Sequence, residues 1–204
     1  MGVISNGTTL LDAGVIDSGI AQGSVTLIKT LTASTSASLS FVHGSSSVVF
    51  DGTYKKYIFK LINIHPVNDD SQLNFNVSID SGSNYNVQKT TTAYNYNHSE
   101  GDTVNFGYRT GEDLANGTGF QFTTVGVSNE NDHANCVILE IYNPASTSLV
   151  KHFLIKGLGV HEDQGTQNLS VAGYANTTSA VNAIQFKMGA GALSTGVIKM
   201  YGVN

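Results

Sequence analysis

The sequence predicts an all-β protein: a jelly-roll-like antiparallel β-sandwich preceded by an extended N-terminal arm. Three observations carry this. Apolar and polar residues alternate over many short runs, which is the period of a half-buried strand. Gly is plentiful (22) and Pro scarce (2), with Ser, Thr and Asn filling the stretches between runs, a composition that suits many polar turns. No window sustains a 3.6-residue period; EDLANG, at 112–117, could make one short helical turn. Eight or more antiparallel strands in this length suggest two packed sheets that close most edges.

Taken in order, residues 1–23 read MGVISNGTTLLDAGVIDSGIAQG, a Gly-rich stretch broken by turns. It is expected to be an arm or attachment segment, with Leu10, Leu11, Val15 and Ile16 held for a partner surface. Residues 24–204 form the sandwich domain. Weak strands are expected in SVTLIKTL, SLSFVH and SVVFDG. YKKYIFKLI is stronger, with Tyr57, Phe59 and Leu61 on one side and Lys56 and Lys60 on the other. LNFNVSI sends Leu73, Phe75, Val77 and Ile79 to one face and Asn74, Asn76 and Ser78 to the other. NVQKTTTAY, TVNFGY and GFQFTTVGV follow as weaker strands. CVILEIY groups Val137, Leu139 and Ile141. LVKHFLIKG puts Phe153 and Ile155 on the face of Lys151. NLSVAGYA is weak, NAIQFKM groups Ile184, Phe186 and Met188, and TGVIKMYGV closes the chain.

Composition excludes several functions. Lys and Arg total 10 and form no run beyond Lys55-Lys56, so there is no basic footprint for nucleic acid. No apolar stretch approaches the ~20 residues of a membrane-spanning helix, and no membrane insertion is expected. MGVISNGTTL has neither the positive nor the apolar region of a signal peptide. The single cysteine, Cys136, lies in a strand and is expected to be a small buried apolar residue.

Residues 76–85, NVSIDSGSNY, carry the Asp-box spacing Ser78-x-Asp80-x-Gly82-x-x-Tyr85. A propeller would repeat it at a regular period; here it occurs once. Asp80 and Gly82 are therefore expected to form a structural turn, the carboxylate holding backbone N–H groups and Gly taking a positive φ.

Three loops join histidines to acids: His98, Glu100 and Asp102; Glu130, Asp132 and His133; His161, Glu162 and Asp163. Such sets can hold zinc or calcium, but none reproduces an established ligand motif, and solvated loops are the plainer reading. No catalytic residue, metal or cofactor is assigned. Nucleophile elbow, Walker loop and dinucleotide fingerprint are all missing from the sequence. If strands reverse one after another, the three His/acid loops gather at one end of the sandwich. "DSGSNY", "NPAS" and "NTTS" then gather at the other. The loop end is the candidate contact surface.

The runs "IKTLTAS", "LSFVHGSSSVVFDGTYKKYIFKLINIHP", "KTTTAYNYNHSEGD", "ANGTGFQ", "YNPASTSLVKHF" and "AGYANTTSAVNAIQFKMGAGALSTGVIKMYGV" together resemble the small β-rich virion structural proteins of marine, cyanophage-like tailed phages. The likeness spans roughly residues 24–203. It implies a non-enzymatic tail-fibre, surface-appendage or capsid-decoration component, made in the host bacterial cytoplasm and built into the virion. Other virion proteins would be met through residues 1–23, a homo-oligomer (a trimer first) would form, and the loops would touch a host receptor such as a surface glycan. Two other classes compete. A carbohydrate-binding β-sandwich module would use the polar loops and tyrosines, though the chain lacks Trp. A depolymerase would need two positioned carboxylates, which no spacing singles out.

Overall fold

The computed structural model describes residues 24–161 and 164–204 in full, and within 1–23 the backbone of three short strands, β1 (Val3–Ser5), β2 (Thr8–Asp12) and β3 (Val15–Ile16), which pair antiparallel with one another. The partner-surface role expected for Leu10, Leu11, Val15 and Ile16 concerns side chains outside the described residues.

The following strands are β4 (Val25–Thr32), β5 (Leu39–Val42), β6 (Lys56–Pro66), β7 (Leu73–Ser78), β8 (Lys89–Ser99), β9 (Val104–Tyr108), β10 (Gln121–Phe122), β11 (Asn135–Tyr142), β12 (Lys151–His161), β13 (Gly165–Ala175), β14 (Ala183–Met188) and β15 (Leu193–Val203). They build an eight-stranded sheet, β4-β15-β6-β11-β12-β13-β8-β9, and a four-stranded sheet, β10-β7-β14-β5. Every strand pairing is antiparallel. From β4 to β8 the chain crosses between the sheets at each strand, as a jelly-roll-like sandwich does; from β11 to β13 it runs as a meander within the large sheet. Among the described residues there is no helix.

The two inner faces meet in one aromatic core. Phe186 of the small sheet lies 5.5 Å from Phe59 of the large sheet and 6.4 Å from both Phe41 and Phe75; Phe75 meets Phe153 edge-on at 5.2 Å. Alternation delivers these residues. Tyr57, Phe59 and Leu61 are buried from β6, Val137, Leu139 and Ile141 from β11, and Lys151, Phe153 and Ile155 from β12. The last run seals a lysine inside. Lys151 Nζ donates to the carbonyls of Leu149 (2.6 Å) and Thr177 (3.0 Å), and desolvation holds its pKa below the usual lysine range.

Several sequence expectations are corrected. Ile79 lies beyond the end of β7 and is 44% exposed. Asn74, Asn76 and Ser78 are buried as fully as their apolar neighbours, because other segments cover the second face of β7. Asn76 Nδ2 donates to the carbonyls of Tyr85, Thr118 and Gly119. SVVFDG is not a strand. Val48 and Phe50 are buried there by irregular backbone, with Phe50 N–H bonded to His43 Nδ1 and Asp51 N–H to the Tyr57 hydroxyl in place of a ladder. GFQFTTVGV narrows to Gln121–Phe122. Beyond it, Thr123 N–H and hydroxyl both donate to Leu73 carbonyl (2.7 Å each), and the Thr124 hydroxyl accepts from Leu73 N–H. This segment lies so close to β12 that a Cβ at Gly157 would collide with Thr123 carbonyl. EDLANG makes no helical turn. Glu112 N–H bonds Arg109 carbonyl, and the two side chains close a paired ionic contact. Cys136 lies on the outer face, half-exposed, with Sγ 3.6 Å from Asn63 Oδ1.

Candidate functional site

The hydrogen bonds join the three His/acid loops at one end of the sandwich. Glu100 N–H donates to Gln164 carbonyl and Ser128 N–H to Val160 carbonyl. The loops after β8 and β12 therefore touch, and the segment before β11 lies against the end of β12. His98 Nε2 pairs with Asp102 Oδ1 at 3.0 Å across the exposed β8–β9 turn. His133 Nε2 lies 3.9 Å from Glu130 Oε2 and 3.9 Å from Asp132 Oδ1, and the Glu130 carbonyl is bonded to His65 Nε2. Glu130, Asp132 and His133 are the described residues whose ligand atoms come close enough to share a cation. Both carboxylates are exposed and the imidazole is mostly covered. His161 lies at the same end; Glu162 and Asp163 lie outside the described residues.

The opposite end holds the tight turns. Val181 N–H bonds Pro144 carbonyl, Asn176 N–H bonds Gln88 carbonyl, and Ser81 N–H bonds Asn182 Oδ1. Asp80 is clamped: Ser78 hydroxyl donates to Oδ1 at 2.6 Å, Asn84 N–H to Oδ1 at 2.9 Å and Asn84 Nδ2 to Oδ2 at 2.7 Å. These donors, Ser78 first, pull the carboxyl pKa down to about 2. Gly82 sits at φ +83°. The Asp-box spacing thus makes a self-contained turn, with its carboxylate consumed by local donors.

Beside the His98–Asp102 turn the sandwich opens. On the inner face of β8, Lys89, Thr91 and Ala93 are fully covered, Asn95 is 9% exposed and Asn97 is half-buried. Register puts Gln167, Asn97 and Asn105 side by side on β13, β8 and β9, and Leu169, Asn95 and Gly107 in the next row. The result is a cleft of about 420 Å³ in which Asn95, Asn97, Asn105, Arg109 and Gln167 supply polar groups. Gln167 Nε2 is committed to Gly126 carbonyl, and Arg109 to Glu112. Asn95 Oδ1 is buried with no hydrogen-bond partner. His161 and Val125 reach the same cleft.

On the outer face of the same strands, Tyr94 stacks on Phe106 (6.4 Å, 9°) and meets Tyr108 edge-on at 5.4 Å. Phe106 is 77% exposed on β9, which ends the large sheet.

The amides of the cleft escaped the sequence reading. The signal was present in AYNYNHS, where Asn95 and Asn97 alternate with Tyr94 and Tyr96. Alternation alone does not show that the aromatic side faces water and the amide side faces inward. No protein-family model matches the chain, and no curated protein matches it significantly.

Proposed function

We propose that this chain is a non-enzymatic structural component of a phage virion, a tail-fibre, surface-appendage or capsid-decoration protein. What supports it is the resemblance that the sequence runs between residues 24 and 203 bear to small virion proteins of marine tailed phages. Two physical features suit it. An edge strand carrying Val104, Phe106 and Tyr108 outward is a surface that gains by meeting another subunit. The sandwich ends are also unlike, with self-satisfied turns at one end and exposed His/acid loops at the other. In this reading residues 1–23 engage other virion proteins, the chain forms a homo-oligomer with a trimer as the first expectation, and the loop end faces a neighbour or host receptor. Mass spectrometry of density-gradient-purified particles tests the reading. The chain should be present at a fixed ratio to the major capsid protein; its absence from purified particles would remove the proposal.

A second reading, a carbohydrate-binding module, is favoured by the amide-lined cleft beside the loop end.

A further inference from the structure

We propose that the cleft between β8, β9 and β13 binds a neutral saccharide unit, with the Asn95, Asn97 and Asn105 amides as its polar floor. The site lies on the inner face beside the His/acid loops, and the inference rests on the carbohydrate-binding reading rather than on the virion one.

Four features converge. The volume of about 420 Å³ falls within the ~300–1,000 Å³ of small-ligand sites. Gln167, Asn97 and Asn105 stand on neighbouring strands, which puts their amides at the ~4.8 Å strand spacing. Each amide offers both donors and an acceptor, and a sugar hydroxyl is the ligand group that also does both. Asn95 is nine-tenths buried, with an acceptor that no protein group satisfies. Its amide is part of the polar floor that lines the cleft.

Charge selects among ligands. Among the described residues no carboxylate lines the cleft; its guanidinium, Arg109, is held by Glu112 through Nε (3.1 Å) and Nη2 (2.8 Å), and His161 also lines it. A phosphate or carboxylate finds that guanidinium already paired. A peptide would need apolar recesses for its side chains, whereas this floor is amide.

Gly107 makes the test clean. A Cβ added there meets no atom within 4 Å, so a larger side chain enters the open cleft without disturbing the strand. Saturation-transfer NMR on the full chain would use glucose, galactose, mannose, N-acetylglucosamine and their disaccharides, with sodium phosphate and a Gly-Ser-Ala-Gly peptide as competitors. At least one saccharide should receive saturation, and neither competitor should displace it. Gly107→Ile should abolish the transfer with thermal unfolding unchanged. Asn95→Leu should weaken binding about tenfold, the equivalent of one satisfied polar group. Absence of transfer to every saccharide, undiminished transfer in Gly107→Ile, or displacement by peptide or phosphate would each overturn the proposal. A chain missing from particles but positive here would sink only the virion reading; a chain present in particles but silent here would sink only the cleft.

Discussion

Lys89 Nζ donates to Asn76 Oδ1 over 2.7 Å, with both side chains sealed from solvent. The Val87 carbonyl accepts a second bond at 2.8 Å. Neutral acceptors compensate an ammonium only in part, and burial brings the Lys89 pKa down to about 7. The unfolded chain, with a lysine pKa near 10.4, binds more protons than the folded one between those values. Stability should therefore rise with pH from about 7 to about 10, by on the order of a few kcal/mol. Lys89→Met should flatten that rise. Urea denaturation of both proteins at the two ends of the window checks it; equal slopes would show that Lys89 is not the titrating group.

The Asp80 turn behaves in the opposite sense. Its folded pKa of about 2 lies below the ordinary carboxyl value of 3.8. Its contribution is thus complete above that value and lost as pH falls from about 4 to about 2. Asp80→Asn should lower the melting temperature at neutral pH and leave it unchanged near pH 2. Gly82→Ala should cost roughly 1–2 kcal/mol from the left-handed backbone alone. It also places a Cβ 2.8 Å from the Tyr85 hydroxyl.

Phe186 ties the two sheets through Phe41, Phe59 and Phe75. Phe186→Ala should destabilise the domain by about 3–5 kcal/mol, measured by chemical denaturation. A loss under about 1 kcal/mol, the size of an ordinary surface change, would mean that the core closes around the gap.

If residues 1–23 hold the proposed oligomer together, their deletion should leave a sandwich with an unchanged circular-dichroism spectrum and a sedimentation coefficient reduced to that of a monomer. A truncated chain that fails to fold would make the segment part of the domain rather than an attachment arm.

The sandwich was legible because strand period and burial agree in the strong runs: β6, β11, β12 and β14 bury the residues that alternation grouped, including Lys151 beside Phe153. It was less legible where side chains replace the ladder. Val48 and Phe50 are buried without a strand, and Thr123 and Thr124 bond Leu73 from irregular backbone. A two-residue period cannot register either case. In β7 the pattern named one face and the fold covered both, because a strand does not encode which loops return over it. The gathering of the His/acid loops followed from antiparallel reversal. The cleft did not, because alternation alone does not show that Asn95, Asn97 and Asn105 face inward on neighbouring strands.

The central claim is that the chain is built into a particle, and immunogold electron microscopy tests it most directly. Antibody raised against residues 24–204 would be applied to intact, purified particles. The account predicts gold at one repeated position on head or tail, lost when particles lack the protein. Unlabelled intact and disrupted particles, with the chain confined to the soluble fraction of infected cells, would contradict it.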